Sequence, residues 1–116
     1  YHSDRWQAMF QEVVELVQFA EELGFDAVAF PEHHLHSEGF EMGAPPEFLL
    51  YVALHTKRIQ VGPIGYVLPG WDPLRLAVTT AWLDQLTHGR SFFQKMNSNI
   101  RAGKNVFLLM NGQLNA

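Results

Sequence analysis

Hydrophobic and polar positions along this chain follow two periods in turn. Trp6, Phe10, Val13, Val17 and Ala20 recur at helical spacing, and Met9, Leu16 and Leu23 widen the stripe. Gln7, Gln11, Glu12, Glu15, Gln18, Glu21 and Glu22 fill the opposite side. Ser3 and Asp4 are N-cap candidates, because a short side-chain oxygen accepts a free amide of the first turn. Gly24 suits the left-handed position that ends a helix. The pattern predicts a helix over about 5–23. Ala27-Val28-Ala29-Phe30 is apolar without alternation, as in a strand covered on both faces. Pro45-Pro46-Glu47 opens a second helix that runs to about Thr56, since proline loses nothing in a first turn. Ile59-Gln60-Val61-Gly62 begins a second strand, which continues through Ile64 to Leu68 with an irregularity at Pro63. Asp72-Pro73 starts a third helix, its inner face marked by Leu74, Ala77, Val78, Ala81 and Gln85 or Leu86 and its end by Gly89.

Short apolar strands alternating with amphipathic helices imply a parallel sheet with helical cover. Two architectures fit: an open doubly wound sheet and an eight-stranded barrel. A barrel takes about 250 residues, and this chain has 116, enough for one domain at most. Composition narrows the classes. A hydrophobic share of 47% excludes disorder, and the absence of cysteine excludes a disulfide scaffold, a thiolate zinc site and a cysteine nucleophile. No apolar run approaches the ~18 residues of a membrane span, so no membrane partner and a cytoplasmic location are expected. A net charge of −4 argues against nucleic acid.

Charge breaks sharply along the chain. Residues 1–89 carry twelve acids against four bases, whereas 90–116 carry four bases and no acid. Asparagine is absent before Asn97 and then occurs at 97, 99, 105, 111 and 115. The step divides 1–90 from 91–116 and suggests a domain boundary, a divergent tail or a reading-frame change that would make 91–116 frame-shifted or foreign. Residue 1 is Tyr, so the sequence follows processing or begins inside a longer reading frame.

The densest polar cluster is Glu32-His33-His34-Leu35-His36-Ser37-Glu38, directly after the first strand. Barrel and open-sheet enzymes place their sites at that carboxyl end. Imidazole exchanges protons near neutral pH and binds metals. Solvated loop residues are the plain alternative, and a metal set of His33, His34 and His36 is the rival functional one. Adjacent histidines diverge in extended backbone, and HExxH is absent. The glycines form neither GxGxxG nor a P-loop: Gly70 and Gly103 read as turns. Gly65, after Pro63, would let a flat ligand approach backbone. Tyr66 and Trp71 either line such a pocket or belong to the core. Asp84 reads as structural, holding Arg90 or a backbone amide.

Seven blocks, in order, carry a resemblance. They are Leu23-Gly24-Phe25-Asp26-Ala27-Val28, Pro31-Glu32-His33-His34, Thr56-Lys57-Arg58-Ile59-Gln60-Val61-Gly62, Val67-Leu68-Pro69, Asp72-Pro73-Leu74-Arg75-Leu76-Ala77, Leu83-Asp84-Gln85-Leu86 and Gly89-Arg90. Over about residues 5–90 the chain resembles bacterial luciferase-like flavin-dependent monooxygenases. That resemblance implies a partial (β/α)₈ barrel of about three βα units. It implies reduced FMN, or in some relatives the deazaflavin F420. It implies O₂ and an aldehyde or other small organic substrate, a flavin reductase as supplier of reduced cofactor, and a dimeric parent. His33 takes the family's acid–base place beside the flavin, with Glu32 and His34 in the shell of the site. A non-prolyl cis peptide beneath the flavin falls at Ile64-Gly65, the cofactor-binding residues. Pro63 departs from the small polar residue expected before it. Ser91 to Met96 supplies a fourth strand that lacks the family's glycine pattern, and resemblance ends at Asn97.

Two other readings stay open: a non-catalytic barrel subunit or interaction fragment, and a small histidine-rich metal-binding module. With about three of eight strands, the segment is expected to leave two open strand edges, and alone neither to bind flavin tightly nor to catalyse.

Overall fold

The computed structural model describes residues 3–33, 45–93, 106–110 and 113–115. Helix α1 spans Ser3–Glu22, so Ser3 and Asp4 lie inside its first turn, where the acid suits the positive end of the helix dipole. Its apolar stripe buries Val13, Val14, Val17 and Ala20, while Leu23 stays exposed. Gly24 stops it at φ +89°, backbone that only glycine adopts without strain. Strand β1 (Ala27–Phe30) is buried at every position, which explains its unbroken apolar run. Helix α2 (Pro45–Leu54) buries Leu49, Val52 and Ala53. Strand β2 (Gln60–Pro63) pairs with β1 in parallel, Ala27 opposite Gln60 and Phe30 opposite Pro63. The core joins Val17, Val28, Phe30, Leu49, Val52 and Val61, and Phe48 meets the Phe30 ring edge-on at 5.0 Å.

Strand β2 is shorter than its sequence suggests. It ends at Pro63, which has no N–H for a ladder, and a 3₁₀ turn at Leu68–Gly70 replaces the expected continuation to Leu68. The peptide between Ile64 and Gly65 is trans, as are all described peptides. The Ile64 N–H donates to the Phe30 carbonyl at 2.9 Å, so the backbone leaves β2 in ordinary ladder geometry.

Helix α3 (Pro73–Leu86) starts as expected: the Asp72 carboxylate caps it, accepting from the Arg75 N–H at 2.9 Å. Its inner face differs from the expected one. Leu83 and Thr87 are buried, with Leu76, Thr79 and Thr80 half-buried. Leu74, Val78, Trp82 and Leu86 face outward at 73%, 50%, 65% and 47% exposure. Threonine serves the inner side because the helix itself satisfies its hydroxyl: Thr80 donates to the Ala77 carbonyl and Thr87 to that of Asp84.

Beyond α3 the next strand position begins. Ser91 bridges Val61 in parallel, Val61 N–H donating to the Arg90 carbonyl and Phe92 N–H to the Val61 carbonyl. The Arg90 guanidinium donates to the carbonyls of Ala53, Ile59 and Thr87, tying together the ends of α2 and α3 and the approach to β2. Asp84 instead accepts from the Ser91 hydroxyl at 3.2 Å. At the same end Glu21 accepts from the amides of Lys57, Arg58 and Ile59. Partial burial pushes its carboxyl up, but those three donors and the Arg58 charge outweigh that and hold it below its ordinary value.

The tail corrects one expectation. Strand β3 (Val106–Met110) lies parallel against the second edge of β1, and β4 (Gln113–Asn115) pairs antiparallel with β3. The sheet order is β2-β1-β3-β4. The β1 edge expected to be open is therefore covered from within the chain.

Candidate active site

Parallel pairing puts the carboxyl ends of β1 and β2 side by side. The residues just past those ends meet there: Pro31, Glu32 and His33 from β1, and Ile64, Gly65 and Tyr66 from β2. The Ile64-to-Phe30 hydrogen bond joins the two exits directly. His33 is half-buried. Ile64 and Gly65 are half-buried as well. Two expected members, His34 and the outer His36, lie outside the described residues. No group of three or more metal-ligating side chains occurs among the described residues.

Glu32 is only 5% exposed, and the fold reaches across to it. One carboxylate oxygen accepts from the Val67 N–H at 2.6 Å, the other from the Trp71 indole N–H at 2.8 Å. A buried carboxylate requires such donors, since an uncompensated one loses several kcal/mol of solvation. Glu32 thereby fastens the segment between β2 and α3 over the end of β1. Sequence reasoning placed Glu32 in the shell of a site without finding these partners. They lie 35 and 39 residues away, Val67 on a segment expected to be strand and Trp71 just beyond it.

Tyr66 sits between the two exits. Its ring stands edge-on to Trp71, centroids 5.3 Å apart, and nearly parallel to Phe93 at 6.3 Å. Its hydroxyl is buried and has no hydrogen-bond partner among the described residues. Burial first, then the negative charges of Glu32 and Glu47, push its phenol up to about 12. The group stays protonated, a donor at any physiological pH.

Parallel strands under helices, with Glu32, His33 and Tyr66 just past adjacent strand ends, match the layout of a barrel segment, whose carboxyl ends carry the site in barrel enzymes. The family of luciferase-like monooxygenases matches residues 2–94, and the chain belongs to that family. It is 35% identical over 85 residues to the alkanal monooxygenase alpha chain of Photorhabdus laumondii subsp. laumondii, covering 73% of this chain and 23% of that protein. It is 36% identical over 74 residues to the 3,6-diketocamphane 1,6-monooxygenase of Pseudomonas putida, covering 63% of this chain and 19% of that protein. Among solved structures, the oxygenating constituent of 3,6-diketocamphane monooxygenase from Pseudomonas putida, a type II Baeyer-Villiger enzyme in complex with FMN, superposes with a TM-score of 0.66. That match is 28% identical and covers 72% of this chain and 23% of the other. A monooxygenase from Streptomyces bottropensis gives the same TM-score at 33% identity, over 72% of this chain and 26% of the other. The chain thus spans about a quarter of the length of these relatives, and its residues 2–94, where the family matches, are a segment of a (β/α)₈ barrel.

Proposed function

We propose that this chain is the early part of a flavin-dependent monooxygenase barrel, oxidising an aldehyde, ketone or other small organic compound with O₂. The observation that carries the reading is that β1 and β2 end side by side, the Ile64 N–H bonded to the Phe30 carbonyl, so that His33 and Ile64–Gly65 follow adjacent carboxyl ends. FMN is the cofactor favoured, because a related structure holds it; F420 is the alternative. The residues fit a flat, partly polar ring. Ile64 and Gly65 offer backbone with little side chain at the glycine, and Tyr66 offers a buried hydroxyl with no partner among the described residues. Reduced flavin, when bound, supplies the electrons for activating O₂.

This chain's own residues do the rest. Ile64 and Gly65 would support the ring. His33 would hold or move a proton at an imidazole nitrogen. Glu32, already satisfied by Val67 and Trp71, keeps the β2–α3 segment in place and limits water. Late barrel loops bind phosphate in such folds, so cofactor affinity draws on the rest of the barrel, and a flavin reductase would deliver the reduced form. The test is oxygen uptake by the complete enzyme with reduced FMN and an aliphatic aldehyde or cyclic ketone. Uptake with equimolar oxygenated product is expected, and uptake that yields only hydrogen peroxide would contradict the reading.

The outward stripe of α3 supports the dimeric state. Leu74, Val78, Trp82 and Leu86 stand four residues apart on one face, beside a groove of about 230 Å³ lined by Pro46, Leu50, Val78, Trp82 and Leu86. Contiguous exposed apolar surface of this kind marks an interface, and the related alkanal monooxygenases comprise alpha and beta chains. A second copy packing α3 against α3 would cover it. Trp82→Glu in the complete protein should give monomers by sedimentation equilibrium at micromolar concentration. A dimer of unchanged affinity would assign the stripe elsewhere.

A further inference from the structure

We infer that Tyr66 is a ligand-binding residue whose hydroxyl donates a hydrogen bond to a neutral carbonyl oxygen of the bound flavin or of the substrate. This assignment rests on the monooxygenase reading and goes beyond it, because that reading gives Tyr66 a place in the pocket lining but no acceptor for its hydroxyl.

The argument starts from an imbalance. Buried hydroxyls are almost always paired, since an unpaired one forfeits its solvation. The Tyr66 hydroxyl is buried with no partner among the described residues. The obvious acceptor nearby is Glu32, whose charge acts on the phenol, yet its carboxylate oxygens receive the Val67 and Trp71 N–H groups. The ring is not a loose filler that would turn outward to find water. Trp71 stands edge-on to it, Phe93 lies nearly parallel to it, and Trp71 is itself anchored to Glu32. The fold therefore holds a donor in place without satisfying it, and does so one residue beyond Gly65, at the exit of β2. Stability given up at a ligand site is a recurring trade for function.

The same surroundings select the acceptor. Glu32 at the end of β1 and Glu47 in the first turn of α2 both place negative potential on the phenol. They repel phosphate, carboxylate or an enolate there, because like charges oppose one another in a poorly solvated site. A neutral oxygen with a lone pair meets no such penalty. The aromatic walls of Trp71 and Phe93 suit a flat or apolar molecule bearing that oxygen. A ring carbonyl of the flavin and the carbonyl of an aldehyde or ketone share this chemistry.

Tyr66→Phe in the complete enzyme tests the assignment, because it removes one oxygen and keeps the ring. Without ligand, the variant should melt at the wild-type temperature or above, since a costly unpaired group is gone. With ligand, the sign reverses. If the flavin supplies the carbonyl, its dissociation constant, followed by fluorescence quenching, should rise about 3- to 10-fold, the worth of one neutral hydrogen bond. If the substrate supplies it, flavin affinity stays unchanged and KM for the carbonyl substrate rises by that factor. Inhibition by the matching hydrocarbon, which lacks the oxygen, should then be unaffected. A lower melting temperature without ligand would show that the hydroxyl has a structural partner and overturn the assignment. Wild-type values for flavin affinity and KM alike would overturn it while leaving the monooxygenase reading intact. A wild-type enzyme that binds no flavin would overturn both.

Discussion

Replacing His33 by alanine in the complete barrel is expected to lower turnover about 100-fold or more, the usual contribution of a positioned acid–base group. Geometry supports a functional rather than a structural role. The last residue pair of the β1–β2 ladder is Phe30 with Pro63, so His33 lies beyond the hydrogen-bonded sheet. It belongs to neither the buried core nor its partly buried margin. Its immediate neighbour Glu32 is buried and doubly hydrogen-bonded, which fixes the backbone from which the imidazole projects. Truncation of this half-buried side chain should cost less than a core truncation, because it removes no member of the apolar core cluster. The measurement is turnover at saturating reduced flavin and substrate, so that weaker binding does not masquerade as slower chemistry. Wild-type turnover in His33→Ala would return the residue to an ordinary loop position and shift the acid–base role to another group. His33→Gln separates the two functions of an imidazole, since the amide can donate and accept hydrogen bonds but cannot exchange a proton. Loss in both variants points to proton transfer, and rescue by glutamine points to hydrogen bonding alone.

Much of this arrangement is legible in the sequence, and the parts that are not fail for identifiable reasons. The helix and strand order follows from local signals: the Gly24 stop, the unbroken Ala27–Phe30 run and the Asp72-Pro73 start each act over a few residues. The placement of Glu32 and His33 at a strand end follows from the same signals. Helix α3 misleads because it carries two candidate faces. The face of Leu74, Ala77, Val78 and Ala81 looks like core by periodicity, yet Leu83 and Thr87 are the residues packed inward. Periodicity identifies an apolar stripe but does not say whether the same chain or another covers it. Strand β2 misleads for a different reason: Pro63 ends the ladder, and the segment beyond it is shaped by the distant carboxylate of Glu32. The pairing of β3 with β1 joins residues 79 apart at Ala27 and Val106, and no local pattern announces it. The orphaned Tyr66 hydroxyl is invisible to sequence reasoning, which sees an aromatic residue and not its missing partner.

The 116-residue chain by itself is expected neither to bind FMN tightly nor to catalyse. It spans about a quarter of its relatives, whereas a barrel site draws on loops after several strands. Among the described residues its sheet has four strands in the order β2-β1-β3-β4, too few to close. The β3 pairing protects one side of β1 and puts β4 at the outer edge among the described residues; on the other side, the described contact of β2 with its next neighbour is the Ser91 bridge. Those edges and the exposed Leu74-Val78-Trp82-Leu86 stripe favour self-association over a defined monomer. In the proposed site, Ile64, Gly65 and Tyr66 would supply one side of a pocket at most, so a ring resting on them would keep much of its surface in water. Small-molecule sites bury most of their ligand. The measurement is titration of residues 1–116, checked for monodispersity, with FMN under fluorescence detection. Dissociation constants weaker than about 1 mM, roughly −4 kcal/mol of binding, are expected. A micromolar constant, about −8 kcal/mol, would mean that the exits of β1 and β2 already form the flavin pocket. The later strands would then serve substrate selection and phosphate binding rather than cofactor affinity.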